Sequence, residues 1–232
     1  MNYDCRAISL LYHKYGEESI IAKIFTQEFG LQAFNIKRGR GKKSKNKISL
    51  LEKLSLINIS AKNQPKKNIQ YLSEISLAYP LKNTDLNNTL IRIFMAEILS
   101  KVLIEDEKNI SLFKFIWRLT IELDNTKETD DTFCLKYLIS LTKFLGFFPS
   151  TENIEYPIFS LNNSSFTKEE KVSGITIKGD NLNYFKALIT NKGVKIPYIN
   201  RQKLLEKIFF YYKIHHYNLD NVKSHIVIES LR

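Results

Sequence analysis

The chain has 232 residues, 44% of them hydrophobic and 25% charged, with a formal net charge of +11. That composition excludes a disordered or low-complexity polypeptide and provides core for one or two globular domains. It contains no run of eighteen uncharged apolar residues, and Met1-Asn2-Tyr3-Asp4-Cys5-Arg6 lacks the apolar stretch of a signal peptide, so a cytosolic protein is expected.

The first elements have a period of two. Ile8, Leu10 and Tyr12, then Ile20, Ala22 and Ile24, then Phe34 and Ile36, then Leu54 and Leu56, then Tyr71, Ile75 and Leu77 alternate as strand residues do. Five short strands within eighty residues predict a small barrel. Between a strand near 31 to 37 and another near 48 to 59 lies Lys37 to Lys47, KRGRGKKSKNK, with seven cations in eleven residues. Gly39 and Gly41 let this connection turn. GRGKKS superficially resembles a phosphate-binding P-loop, but that pattern, anchored on Gly41-Lys42, needs glycine at 36 and serine or threonine at 43, where the chain has Ile36 and Lys43. A nuclear localisation signal fits the run by composition alone.

Beyond Pro80 the spacing changes. Leu86, Leu90, Ile93, Phe94, Ile98 and Leu103 follow the three-and-four rhythm of an amphipathic helix, with Thr84 or Asp85 to cap it. Further helices are expected at about 110 to 123, 131 to 145, 181 to 190, 200 to 217 and from about 222. The chain therefore reads as α+β, with a barrel domain over 1–80 and a mostly helical domain over 81–232.

Charge follows the same division. The first eighty residues hold 14 Lys and Arg against 6 Asp and Glu, the rest 21 against 18. A basic excess in one domain calls for a polyanionic partner, and no basic amphipathic helix accompanies the run as a membrane anchor would require. Cations on a loop beside a barrel track a phosphate backbone without demanding one base sequence. The candidate nucleic-acid contacts are Lys37, Arg38, Arg40, Lys42, Lys43, Lys45 and Lys47, with Arg6 on the first strand. Phe34 and Tyr12 are candidates for base stacking if they face outward and for core packing if they do not.

No catalytic constellation emerges. The neighbours Glu17-Glu18, Asp130-Asp131 and Glu169-Glu170 point apart on any regular element, and Asp130 reads better as a helix cap. His215, His216 and His225 lack the spacing of a helical zinc site, and Cys5 and Cys134 are read as isolated buried thiols. Neither a catalytic nor a metal residue is assigned. An RNA-binding module and a nuclease are the rival classes; DNA–RNA competition and incubation of DNA with magnesium or manganese separate them.

The ordered set Arg6-Ala7-Ile8, Tyr15-Gly16-Glu17-Glu18-Ser19, Phe25-Thr26-Gln27-Glu28-Phe29-Gly30-Leu31, the basic run, Glu74 and Tyr79-Pro80-Leu81 resembles the opening of the bacterial recombination mediator family RecO. Lys136-Tyr137-Leu138 through Phe144-Leu145-Gly146-Phe147 is similar to that family's helix ending in a Leu-Gly-Tyr turn. Val222-Lys223-Ser224 is similar to its Lys-Ser-Arg motif, with His225 where arginine is usual. The resemblance implies a five-stranded OB-fold β-barrel followed by a mostly α-helical C-terminal domain. It also implies a non-enzymatic function in the bacterial cytoplasm, at the nucleoid during repair: binding single- and double-stranded DNA, annealing complementary strands, and helping load recombinase onto DNA coated by single-stranded DNA-binding protein. The implied partners are RecR and the acidic C-terminal tail of the coating protein. Many members carry four zinc cysteines after the Leu-Gly-Tyr turn; residues 150 to 180 here contain none, so no zinc or other cofactor is expected. For the tail, Lys136 and Lys143 stand seven apart on one predicted helix, with Tyr137, Leu141 and Phe144 as a candidate apolar floor.

Overall fold

The computed structural model describes residues 2–37, 47–169, 175–225 and 228. Strands β1 (Asn2–Tyr15), β2 (Ser19–Thr26), β3 (Gly30–Lys37), β4 (Leu56–Lys62) and β5 (Ile69–Tyr79) close into a barrel of order β1-β2-β3-β5-β4. All pairings are antiparallel except β3 with β5. This is the OB fold predicted from period and resemblance. β1 is long because it serves two partners, β4 from Asn2 to Ile8 and β2 from Ala7 to Tyr15. A bulge between Ser9 and Leu11 follows the handover, which bends the strand around the barrel. Ala7, Ile20, Ala22, Ile24, Phe34, Ile36, Ile57, Ile59, Ala61 and Leu72 fill the interior.

One strand is shorter than its alternation suggested. The expected strand near 48 to 59 begins only at Leu56; 47–49 form a helical turn instead. Leu51 and Leu54, three apart, are fully buried, and Leu51 joins the barrel core. Ser9 fastens them: its Oγ donates to Leu51 O at 3.0 Å, and Leu54 N donates to Ser9 O at 2.8 Å. Leu54 sits at φ 61°, a left-handed conformation held by the burial of its side chain.

Two helices pack on this barrel. α1 (Leu86–Val102) is capped by Asp85, which accepts from Asn87 N at 3.0 Å and Asn88 N at 3.2 Å, so the cap falls on one of the two predicted residues. α2 (Ile110–Asn125) is capped by Asn109. The buried Asp124 carboxylate accepts from Lys82 N and Asn83 N and fixes the exit from the barrel.

By density of contacts the chain forms two compact units, Met1–Lys127 with Val222–Arg232, and Glu128–Asn221. The second contains α3 (Phe133–Leu145), α4 (Asp180–Ile189) and α5 (Tyr198–Ile214). It also holds a small sheet absent from the sequence reading: β6 (Ile158–Ser160), β7 (Ser165–Thr167) and β8 (Thr176–Lys178), in the order β7-β6-β8. Three-residue strands are too short to show a period. Phe159, at the centre, packs on Phe166 and Phe185. The buried Tyr211 and Tyr212 hydroxyls donate to Phe147 O and Leu138 O, each at 2.7 Å. Cys5 and Cys134 form no disulfide and are half-buried where burial was expected.

Candidate nucleic-acid interface

The outer surface of the barrel has two unlike sides. On the first, the middle of β1, β2 and the start of β3 lie under the chain itself. Outward-facing Ile8, Phe25 and Leu31 are buried, and Phe25 meets Phe113 of α2 edge-on at 5.4 Å. The α1–α2 connection clasps β3: Asp106 N donates to Leu31 O at 2.9 Å, and Gln32 Nε2 donates to Asp106 Oδ1 at 3.1 Å. Lys23 pairs with Glu105 at 3.0 Å and Lys108 with Glu28 at 2.8 Å. Strands 2 and 3 are where an OB fold ordinarily receives an oligonucleotide, and here that face is largely occupied.

The second side is open. Asn2, Asp4 and Arg6 of β1, Asn58 and Lys62 of β4, and Ile69, Tyr71, Ser73 and Glu74 of β5 are exposed. Register sets them in rows: Asp4, Ser60 and Glu74 lie side by side, as do Arg6, Asn58 and Ser76. A depression of about 460 Å³ runs across these two rows.

The predicted cations distribute as follows. Arg6 stands on the open side with its guanidinium 5.4 Å from the ring centre of Trp117, and has no carboxylate partner among the described residues. Lys37 ends β3, exposed, in register with Ser19 of β2, two residues beyond the last β3–β5 pair, Asn35 with Tyr71. Lys47 Nζ donates to Ser73 O at 2.8 Å. Lys47 is therefore held against β5, and Lys37 lies at the end of β3, the strand beside it. Arg38, Arg40, Lys42, Lys43 and Lys45 lie outside the described residues.

Of the two stacking candidates, Phe34 is wholly buried in the barrel core. Tyr12 is 45% exposed but lines a cavity of about 840 Å³ with Leu77, Arg92 and Ile93, away from the open rows. The residues missed in the sequence are Tyr71, 54% exposed between the buried Gln70 and Leu72, and the exposed Lys66 and Lys67 in the β4–β5 connection. Gln70 fixes that connection by donating to Gln64 O and Lys67 O and accepting from Gln64 N. The signal available was the Lys-Lys pair between two strands; Tyr71 shares the parity of Ile69, Ile75 and Leu77, so the alternation gave no sign that it faces outward.

The tail-binding floor read from α3 is corrected. Tyr137 is 2% exposed and Leu141 fully buried, because a stripe at i, i+4 and i+7 is the face a helix turns to its own core. Phe144 is half-buried, and Lys143 is exposed with its Nζ 4.6 Å from the Phe148 ring centre. Lys136 pairs with Asp130. Burial pushes the Asp130 carboxyl up, but bonds from Lys136 and Thr132 outweigh it and hold the group below its ordinary value. Asp130 precedes the N-cap, Thr132, by two residues and accepts from Thr132 N at 2.8 Å. His215 stacks on Phe147, and its Nε2 lies 3.1 Å from Ser164 Oγ. Among the described residues no helix is long and apolar enough to cross a membrane.

Residues 1–81 match the family model "Recombination protein O N terminal". Over 239 residues the chain is 31% identical to the "DNA repair protein RecO" of Flavobacterium psychrophilum, covering 100% of this chain and 98% of that protein. It is 29% identical to the protein of the same name from Flavobacterium johnsoniae, over 97% of this chain and 95% of the relative. For that of Azobacteroides pseudotrichonymphae the identity is 26%, over 100% and 99%.

Proposed function

Since the chain belongs to the recombination protein O family of DNA repair proteins, we propose that it acts as a recombination mediator. In this reading it binds single- and double-stranded DNA in the cytoplasm, anneals complementary strands and, with RecR, helps load recombinase onto DNA coated by single-stranded DNA-binding protein. Residues 1–80 take the nucleic acid; residues 81–232 serve protein partners and DNA.

The observation that carries the reading is a basic run in an OB barrel that starts at Lys37, the exposed end of β3, and ends at Lys47, bonded to Ser73 O of an open strand. A run of seven cations in the sequence between two barrel strands neutralises phosphates irrespective of base sequence. Annealing follows from the same electrostatics, since screening two backbones removes the repulsion that keeps complementary strands apart. Binding and annealing ask for no bond-making by the protein itself. The acidic tail of the coating protein meets Lys136 and Lys143 on α3, with Phe144 and Phe148 as the apolar surface near Lys143.

The test is annealing of complementary oligonucleotides coated with the cognate single-stranded DNA-binding protein, with and without RecR. Annealing faster than in the protein's absence is expected. A chain that binds matched RNA more tightly than DNA and leaves coated strands unannealed refutes the proposal and favours an RNA-binding module.

A further inference from the structure

The pairing of charges differs between the two sides of the barrel. On the covered side Lys23 and Lys108 are each matched by a carboxylate. On the open side Arg6, Lys62, Lys66 and Lys67 have no ion pair among the described residues. Exposed cations left unmatched beside a chain's own open strands are available to an external polyanion.

We infer that a single strand of nucleic acid crosses the outer face of β1, β4 and β5, held at one edge by Arg6 against Trp117 and at the other by Lys37 and Lys47, instead of lying on β2 and β3. The inference rests on the proposed DNA-binding function and names the surface that performs it. Three inter-strand spacings separate β3 from β1 through β5 and β4, about 14 Å at roughly 4.8 Å each. At the stacked spacing of about 3.4 Å, some four nucleotides fill that width, near the lower end of the site sizes OB folds offer.

Chemistry across the face sets the orientation of the strand. In one row Asp4 of β1 and Glu74 of β5 flank Ser60 of β4, and Ser60 Oγ donates to Asp4 Oδ1 at 2.5 Å. Two carboxylates repel phosphates and accept hydrogen bonds from base amino groups, as with cytosine N4. Phosphates of the crossing strand are therefore held where Arg6, Lys37 and Lys47 stand, and bases face the protein along the Asp4–Ser60–Glu74 row. Tyr71, exposed on β5, supplies a stacking surface on the Lys47 side. At the other edge Trp117 steadies the Arg6 guanidinium by a cation–π contact and leaves its N–H donors free for phosphate.

Trp117 is the only tryptophan, so its emission reports on this edge alone. The intact chain is titrated with dC and dT 12-mers, following both Trp117 emission and the anisotropy of a labelled strand. Binding is expected to change Trp117 emission in step with the anisotropy and to be tighter for dC. Arg6→Gln is expected to raise Kd about fivefold and to flatten the log–log salt slope by about 0.7. Tyr71→Ala is expected to raise Kd about fivefold or more, while Lys23→Gln on the covered face stays within about twofold. Both open-face positions are solvent-exposed, and thermal melting verifies that the variants fold. DNA binding that survives with unchanged emission and with Arg6→Gln and Tyr71→Ala at the parent Kd overturns the path and leaves the function standing. A chain that binds neither oligonucleotide overturns both.

Discussion

Gly30→Ala tests whether the α1–α2 connection truly closes the β2–β3 face. Gly30 opens β3 at φ +70°, and a Cβ placed there would lie 2.1 Å from Glu107 O and 2.6 Å from Glu107 C. The obstacle is backbone, so the connection must lift for the methyl to enter. Left-handed alanine costs about 1–2 kcal/mol. Lifting the connection strains the Asp106–Leu31 hydrogen bond and the Gln32–Asp106 bond, about 1 kcal/mol each. The ion pairs Lys23–Glu105 and Lys108–Glu28 are well exposed and add little. The sum is roughly 3 kcal/mol, a fall in Tm of about 6–12 °C for a chain of this size. Gly16→Ala is the control: φ is +65°, but nothing lies within 4 Å of the added carbon, so only the left-handed cost applies. Urea and thermal melts followed by circular dichroism measure both. A Gly30→Ala variant no less stable than Gly16→Ala refutes the clasp.

Three other outcomes are expected. If the intact chain neutralises roughly four to six phosphates of a single strand, log Kd against log salt has a slope of about 3 to 4 in magnitude, and replacing the seven cations of 37–47 with serine flattens it by at least about 2; an unchanged slope removes the run from the interface. Glu97 of α1 accepts from Lys223 N, Ser224 N and Ser224 Oγ, and although burial raises its carboxyl, these bonds prevail and keep it below its ordinary 4.5. Its stabilising contribution is therefore complete above the unfolded value and lost as pH falls through the folded one, so Glu97→Gln should cost about 1 kcal/mol at pH 7 and flatten the stability profile below pH 4.5, as urea melts across pH will show. A tail peptide of the coating protein should bind Lys143→Glu several-fold more weakly, by fluorescence titration, whereas Leu141→Ala, in the core, should cost about 2–5 kcal/mol of stability.

Legibility in the sequence depended on the range of the interaction. β1, β2 and β3 were visible because alternation is local: Ile20, Ala22 and Ile24 point inward on one strand whatever lies elsewhere. The segment 48–55 misled because Ile48, Leu50, Leu54 and Leu56 are also compatible with a strand, and only the bonds of Ser9 from another strand select the turn. On α3 the apolar stripe was legible but its direction was not. Tyr137 and Leu141 look alike whether they face a guest or the core, and the decision lies with partners such as Tyr212, whose hydroxyl reaches Leu138 O from 74 residues away. For the interface, Arg6 was found by type and resemblance, while its orientation depends on Trp117, 111 residues further on.

The covered and open faces follow from one requirement. A barrel of about eighty residues buries too small a share of its surface to be robust alone, and packing α1 and α2 outside it adds Ile8 and Phe25 to the buried apolar set. Helices that stabilise a face also deny it to a ligand, so the stabilised side carries matched charges and the remaining side the unmatched ones. Lys23 with Glu105 and Lys108 with Glu28 match charges across the covering segment; Arg6, Lys62, Lys66 and Lys67 lie on or beside β1, β4 and β5 and have no ion pair among the described residues. The same division accounts for Asp4 and Glu74 on the open rows. On the inferred path, a face of uniform positive charge would hold phosphates flat against it, whereas the carboxylates Asp4 and Glu74 keep phosphates off their row and leave room there for bases.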